Sequence, residues 1–161
     1  MTAFFANWNR VERLRFESEA WLGTPFVPYA AIRGAGVDCV NLCAELLKGC
    51  GFEVPANQAW PRYAIDGGKH NRDSQLTAWL DNNRGFARVW MRGEAAHYTA
   101  AVAMPGDVLC FRLGRSAHHA GLLVAGTKFV HAMFGRKVMF ATLADLSFSR
   151  RIESVYRPLE S

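Results

Sequence analysis

The first half of the chain carries apolar residues at helical spacing in three places. This periodicity predicts helices over residues 9–22, 38–51 and 73–83. The second helix has the clearest signals, because Asp38 is a favourable N-cap and Gly51 a favourable residue after the last turn. Its apolar positions are Cys39, Cys43, Leu46, Leu47 and Cys50. We therefore predict a buried amphipathic helix that starts directly after Asp38.

After residue 85 the pattern changes to short apolar runs separated by turns that contain glycine. These runs predict strands over residues 86–92, 108–113, 120–124, 128–132, 138–141 and 152–157. Helices first and hairpin-connected strands afterwards indicate an α+β fold with an antiparallel sheet. The prolines and glycines of residues 24–36 and 55–72 predict loops.

Length and composition fit one domain over residues 1–161 with a core of its own, since half of the residues are apolar. No apolar run approaches the ~20 residues that a membrane-spanning helix needs, so we expect no membrane span. The N-terminus does not read as a secretory signal, which predicts a protein that is cytoplasmic as synthesised. Four cysteines are too few for a disulfide scaffold and are expected to be free thiols.

Charge is unevenly distributed along the chain. The formal net charge is +5, and residues 81–161 supply all of it, with eleven basic side chains against six acidic ones. A basic half suits an anionic partner, but its arginines are scattered along the sequence. We therefore predict a solvated basic surface and no nucleic-acid partner.

Cys39 is the most informative residue for chemistry. It follows the helix cap directly, where free backbone N–H groups and the positive end of the helix dipole favour a thiolate. The thiolate is the nucleophilic form of cysteine, and the Cys39 N–H can face a developing oxyanion. The competing interpretation is one more core cysteine, which is the interpretation we give to Cys43 and Cys50.

His119 is the candidate base for this nucleophile, because it opens a predicted strand and can project into a cleft. A base also needs a group that orients its second ring nitrogen, and His131 on the following strand could lie beside it in an antiparallel hairpin. His118 should point the opposite way along a regular strand, so we interpret it as non-catalytic. A zinc site built from Cys39 and these histidines is disfavoured by the ligand spacing.

These residues resemble the NlpC family of papain-like cysteine peptidases, the bacterial cell-wall endopeptidases. The likeness covers roughly residues 10–158 and lies in five stretches: Glu19–Phe26, Gly36–Leu42, Pro105–Arg112, His119–Leu123 and Phe129–Ala132. The terminal Val155–Pro158 is typical of the phage and prophage branch. Because the cysteine precedes the histidine, the order favours the peptidases over the permuted acyltransferase relatives.

The resemblance implies a nucleophile helix packed on a central antiparallel sheet. Cys39 would attack an amide carbonyl, His119 would take the thiol proton and later protonate the leaving amine, and His131 would orient His119. The implied substrate is the peptidoglycan stem peptide, cut between D-glutamate and the diamino acid. No metal or cofactor is implied.

Two departures from the family pattern affect the predicted substrate and oxyanion residues, which are Asp38, Tyr29, Phe26 and Asn41. Phe26 stands where the family usually has tyrosine, and Tyr29 could replace the missing hydroxyl. Asn41 stands where the family has a small glycine, so it could narrow the cleft or supply a hydrogen bond. Residues 55–104 form a variable insert, expected as a lid or partner surface.

A phage or prophage wall hydrolase, made in the cytoplasm and delivered by the virion, is the function that these features favour. The alternative is a phage tail structural or assembly protein, with tail proteins as partners and an idle or only self-processing site. The complete set of Cys39, His119 and His131 argues against that alternative, whereas Phe26 argues for it. An amidase or thioesterase that acts on another substrate is the third possibility.

Overall fold

The computed structural model describes residues 1–53, 75–112 and 117–161 of the chain. A short 3-10 helix at Phe4–Ala6 comes first. The helices that follow are α1 (Trp8–Trp21), α2 (Cys39–Gly49), α3 (Gln75–Asp81) and α4 (Leu146–Ser149). The strands are β1 (Ala31–Ile32), β2 (Gly36–Val37), β3 (Phe86–Met91), β4 (Val108–Arg112), β5 (Ala117–Ala125), β6 (Lys128–His131), β7 (Met139–Thr142) and β8 (Ile152–Pro158).

Six strands form one antiparallel sheet in the order β3-β8-β4-β5-β6-β7. Strands β4 to β7 follow one another as neighbours, and β8 returns to lie between β3 and β4. Helices precede most of the sheet, so the predicted α+β fold with an antiparallel sheet is confirmed. Strand β3 forms the edge of the sheet, which shows that the described part of the predicted insert contributes to the sheet itself.

Each face of the sheet supports its own core, because successive side chains of a strand point to opposite faces. The face toward α1 and α2 packs in a larger core with both helices, and its buried sheet residues are Phe86, Val108, Cys110, Ala120, Leu122, Val124, Val130 and Tyr156. The other face packs under α4, and its buried residues are Trp90, Leu109, Phe111, Leu123, Phe129, Ile152 and Val155. Phe148 of α4 packs against this second core.

Several predicted elements change at their boundaries. Strand β5 begins at Ala117, three residues earlier than predicted, and the predicted loop over residues 24–36 contains the two-stranded β1–β2 sheet. Helix α4 was not predicted, because four residues are too short to show a periodicity. The loop over residues 55–72 lies outside the described residues, as do the first two residues of the predicted third helix.

All four cysteines are buried and have free thiols. Within the described residues, no helix is long and apolar enough to cross a membrane.

Candidate active site

Cys39 is the first residue of α2. The Asp38 side chain caps the helix, accepting a hydrogen bond from the Asn41 N–H over 2.8 Å. The apolar face of α2 packs on the sheet, which draws Cys39 into the larger core and leaves it 3 % exposed. The thiol therefore combines a helix N-terminus with burial, two features that act on the same sulfur.

His119 on β5 and His131 on β6 are in direct contact. Nε2 of His119 lies 2.9 Å from Nδ1 of His131, and which ring donates depends on the tautomers. Their strands pair with Gly121 opposite His131, which places the two rings on the same face of the sheet. Both rings are buried, and they pack against Phe111, Phe129 and Phe148 of the second core.

Burial keeps both imidazoles neutral at neutral pH. It lowers the pKa of His119 to about 3, and repulsion from His131 and His118 acts in the same direction. Burial and the positive charge of Arg136 lower the pKa of His131 to about 4. Each ring therefore has one nitrogen without a proton, which a general base requires.

Helix α2 meets β5 directly before His119. Cys39 Sγ lies 4.0 Å from the carbonyl oxygen of His118. Phe111 of β4 pairs with His119, whereas the next residue of β4, Arg112, pairs with Ala117, so His118 is the extra residue of a β-bulge. A bulge redirects side chains, and simple alternation therefore cannot assign the directions of His118 and His119. The structure brings His119 to His131, and it brings Cys39 to the peptide group that joins His118 to His119.

The predicted substrate and oxyanion residues surround the start of α2. Asp38 is 2 % exposed, and its Oδ2 accepts hydrogen bonds from the Tyr29 N–H at 2.8 Å and from the Asn41 side-chain amide at 3.0 Å. Burial raises the pKa of the Asp38 carboxyl, and these donors oppose the shift. Asp38, Tyr29 and Asn41 thus form one network beside Cys39.

Phe26 lies on the other side of this entry segment, against the loop that follows His131. Its N–H donates to the Arg136 carbonyl over 2.9 Å, and its ring makes an edge-to-face contact with Phe134. Phe134 is 73 % exposed, so Phe26 and Phe134 form an apolar rim that water can reach. Phe26 has no hydroxyl to offer there, and Tyr29, at 56 % exposed, carries one nearby in the chain.

Sequence reasoning missed several residues that support the site. Phe111 and Phe148 hold the two histidines in an apolar environment, and Arg136 lowers the pKa of His131. Strand pairing could have indicated Phe111, since it faces His119 in the register, but nothing in the sequence placed α4 over the sheet. Within the described residues, no group of three or more histidine, cysteine or acidic side chains could hold a metal ion.

The chain is similar in sequence and structure to one group of known proteins. Residues 23–157 match the sequence profile of the NlpC/P60 family. Among solved structures, the chain is similar to an NLP/P60 family protein from Staphylococcus aureus subsp. aureus Mu50, at 17 % identity and a TM-score of 0.63. That match covers 100 % of this chain and 45 % of the S. aureus chain, so this chain spans less than half of that protein.

Two further structures match over most of both chains. The NlpC/p60 domain of the peptidoglycan hydrolase SagA is 12 % identical with a TM-score of 0.51, and 93 % of this chain and 98 % of that chain are covered. RipD from Mycobacterium tuberculosis, a non-catalytic NlpC/p60 domain protein adapted to peptidoglycan binding, is 11 % identical with a TM-score of 0.54, and 96 % and 100 % are covered. No curated protein matches the sequence. At these identities the structural matches show the fold alone.

Proposed function

Because the chain belongs to the NlpC/P60 family, we propose that it is a cysteine peptidase that hydrolyses an amide bond of the peptidoglycan stem peptide. The observation that carries this proposal is the hydrogen bond between two buried, neutral imidazoles: His119 on β5, the strand that Cys39 contacts, and His131 on the neighbouring strand β6. This arrangement supplies a nucleophile, a base and an orienting group. Peptidoglycan as the substrate is consistent with the family, and SagA, whose NlpC/p60 domain this chain resembles in structure, is a peptidoglycan hydrolase.

The proposed chemistry assigns one proton path to the two histidines. With its proton on Nε2, His119 donates to Nδ1 of His131, and the lone pair on its own Nδ1 is left to accept the Cys39 thiol proton. The thiolate attacks the amide carbon, and the protonated His119 then gives its proton to the leaving amine. Water hydrolyses the thioester and restores the thiol. We propose the bond between D-glutamate and the diamino acid as the one that is cut.

Digestion of purified peptidoglycan, read by mass spectrometry, tests the proposal. We expect stem-peptide fragments from the wild-type protein and from Cys50→Ala, a matched cysteine control remote from the first turn of α2, and none from Cys39→Ala. His119→Ala should also abolish turnover, whereas His118→Ala should keep most of it. If only His118→Ala is inactive, the base is the residue in the bulge and the assignment above is wrong.

Alkylation of the folded protein gives a readout that does not depend on substrate. Burial raises the pKa of the Cys50 and Cys110 thiols to about 12 and that of Cys43 well above its usual range, so these three stay protonated at pH 7. We expect iodoacetamide to label Cys39 first. Slow, equal labelling of all four cysteines would contradict an activated nucleophile.

RipD gives the second candidate function a concrete form, since it keeps this fold without catalysis. A binding or assembly role, for instance in a phage tail, becomes the better proposal if wild-type protein releases no fragments from several wall types. We also propose that a virion delivers the protein, and the basis for this proposal is the phage-like terminal motif Val155–Pro158 alone. Immunodetection of the protein in purified virions tests that route.

A further inference from the structure

The turn before β1 has an unusual backbone at Tyr29. The turn Val27–Ala30 is closed by a hydrogen bond of 3.2 Å from the Ala30 N–H to the Val27 carbonyl, and Pro28 and Tyr29 are its central residues. Tyr29 has a φ of +61°, which makes it the one non-glycine residue with a positive φ in the described parts of the chain. Glycine is the usual residue at this position of such a turn, because a side chain there is strained. Something else in the fold must therefore hold Tyr29 in place.

Asp38 holds this turn against the nucleophile helix. Its Oδ2 accepts the Tyr29 N–H over 2.8 Å, and its own N–H donates to the Ala30 carbonyl over 3.3 Å. The other carboxylate oxygen, Oδ1, caps α2 through the Asn41 N–H. One buried carboxylate thus connects the strained turn to the helix turn that carries Cys39.

Asn41 fixes the orientation of that carboxylate. Its side-chain amide donates to Asp38 Oδ2 over 3.0 Å, so this oxygen is shared by the amide and the Tyr29 N–H. The backbone N–H of Asn41 caps the helix through Oδ1, whereas its side-chain amide reaches Oδ2, the oxygen that holds Tyr29. A glycine at position 41 would leave Oδ2 without this second donor.

We propose that Asn41 is a positioning residue that acts through Asp38 to hold Tyr29 at the substrate entrance of the active site. Tyr29 is 56 % exposed, and its phenol can donate to a carbonyl or accept from an amide of a bound peptide. Its backbone is tied to the residue that precedes the nucleophile, so the ring stays close to the reacting end of the substrate. The strained turn is maintained for contact with substrate, and this inference rests on the proposed function.

A double-substitution cycle tests the coupling between Asn41 and Tyr29. Kinetics and binding are measured with a soluble stem-peptide fragment for wild type, Asn41→Ala, Tyr29→Ala and the double variant. We expect each single substitution to raise KM and the dissociation constant up to about tenfold, the effect of losing one phenol–peptide hydrogen bond, with kcat changed less than about twofold. The double variant should be no worse than Tyr29→Ala alone. The proposal is wrong if the effects of the two single substitutions multiply in the double variant. It is also wrong if Asn41→Ala leaves KM and the dissociation constant unchanged.

Amide hydrogen exchange separates this inference from the proposed function. In Asn41→Ala we expect the Tyr29 amide to exchange about tenfold faster, while Glu45→Ala, one turn further along α2, leaves it unchanged. Alanine favours helix more than asparagine does, so Asn41→Ala is expected to fold. If wild type binds the fragment without cleaving it, the peptidase proposal fails and the binding cycle still decides the role of Asn41. Unchanged exchange at Tyr29, or no binding of the fragment, would refute the inference.

Discussion

Acidification should destabilise this protein through the two buried histidines of the candidate site, His119 and His131. In the native state the pKa of His119 is about 3 and that of His131 about 4, against 6.5 for histidine in the unfolded chain. The unfolded chain therefore binds more protons than the native protein as the pH falls through 6.5, and the difference approaches two protons near pH 5. Because protons then favour the unfolded state, the stabilisation is fully present above pH 6.5 and is lost as pH falls toward the native pKa values.

The size of this loss is set by the pKa of histidine in the unfolded chain, because the native pKa values of His119 and His131 both lie below the pH range of the measurement. At pH 5 each unfolded histidine is almost fully protonated, which makes unfolding easier by about 2 kcal/mol per residue relative to pH 8. The pair gives about 4 kcal/mol, a large part of the ~5–15 kcal/mol that stabilises a typical domain. The pKa of Asp38 is raised in the native state, so its contribution to the free energy of unfolding increases as the pH falls. Asp38 therefore cannot produce this loss.

Urea unfolding followed by tryptophan fluorescence at pH steps from 8 to 5 measures the effect. His131→Asn removes one of the two titrating rings, so about half of the pH dependence should remain in that variant. His97→Asn is the matched control, because His97 is exposed and its replacement should leave the whole dependence intact. A change below about 1 kcal/mol between pH 8 and pH 5, or an unaltered dependence in His131→Asn, would refute the claim that both rings are buried and neutral.

Two further predictions concern the turn that leads into β4. Asp107 is fully buried, and both of its oxygens accept hydrogen bonds from Arg157, so Asp107→Ala should lower the free energy of unfolding by about 3 kcal/mol, measured by urea titration. If the loss is below about 1 kcal/mol, the ion pair does not stabilise the turn. Gly106 has a φ of +85°, and a Cβ there would collide with the Phe5 ring, so Gly106→Ala should cost about 3 kcal/mol in thermal unfolding. Gly93→Ala, with a φ of +94° and open space around it, should cost only about 1 kcal/mol, and equal losses would exclude the collision as the cause.

The part of the fold that the sequence predicted best is the part with local causes. Helix α2 begins after Asp38 because that side chain satisfies a free N–H, and its buried face follows from the spacing of Cys39, Cys43 and Leu46. Such signals lie within a few residues of one another. A single sequence therefore contains them in full.

The parts that the sequence missed depend on contacts between distant segments. The β1–β2 pair forms because Gly36 allows β2 to approach Val27, where a Cβ would lie 2.6 Å from a valine methyl. Helix α4 is only four residues long, and its place is set by Phe148 packing on the sheet. Neither cause is visible as a periodic pattern.

The candidate site shows the same division between local and distant causes. The helix cap predicted a special position for Cys39, and the hairpin pattern placed His119 and His131 on neighbouring strands, which the structure has in contact. The bulge at His118 depends on pairing with β4 and was not predictable from β5 alone. The roles of these residues in catalysis therefore stay predictions, although their positions are clear.

The location of the two imidazoles connects the chemistry of the site to the stability of the fold. His119 and His131 lie among the aromatic rings of the second core, while Cys39 belongs to the helix-side core. The apolar surroundings keep the His119 ring neutral at neutral pH, because burial disfavours the charged imidazolium. The same surroundings make protonation costly to the folded state, so the neutral imidazoles and the sensitivity to acid have one physical cause. A substitution that admits water to this core should raise the pKa of both histidines and reduce the loss of stability at acidic pH.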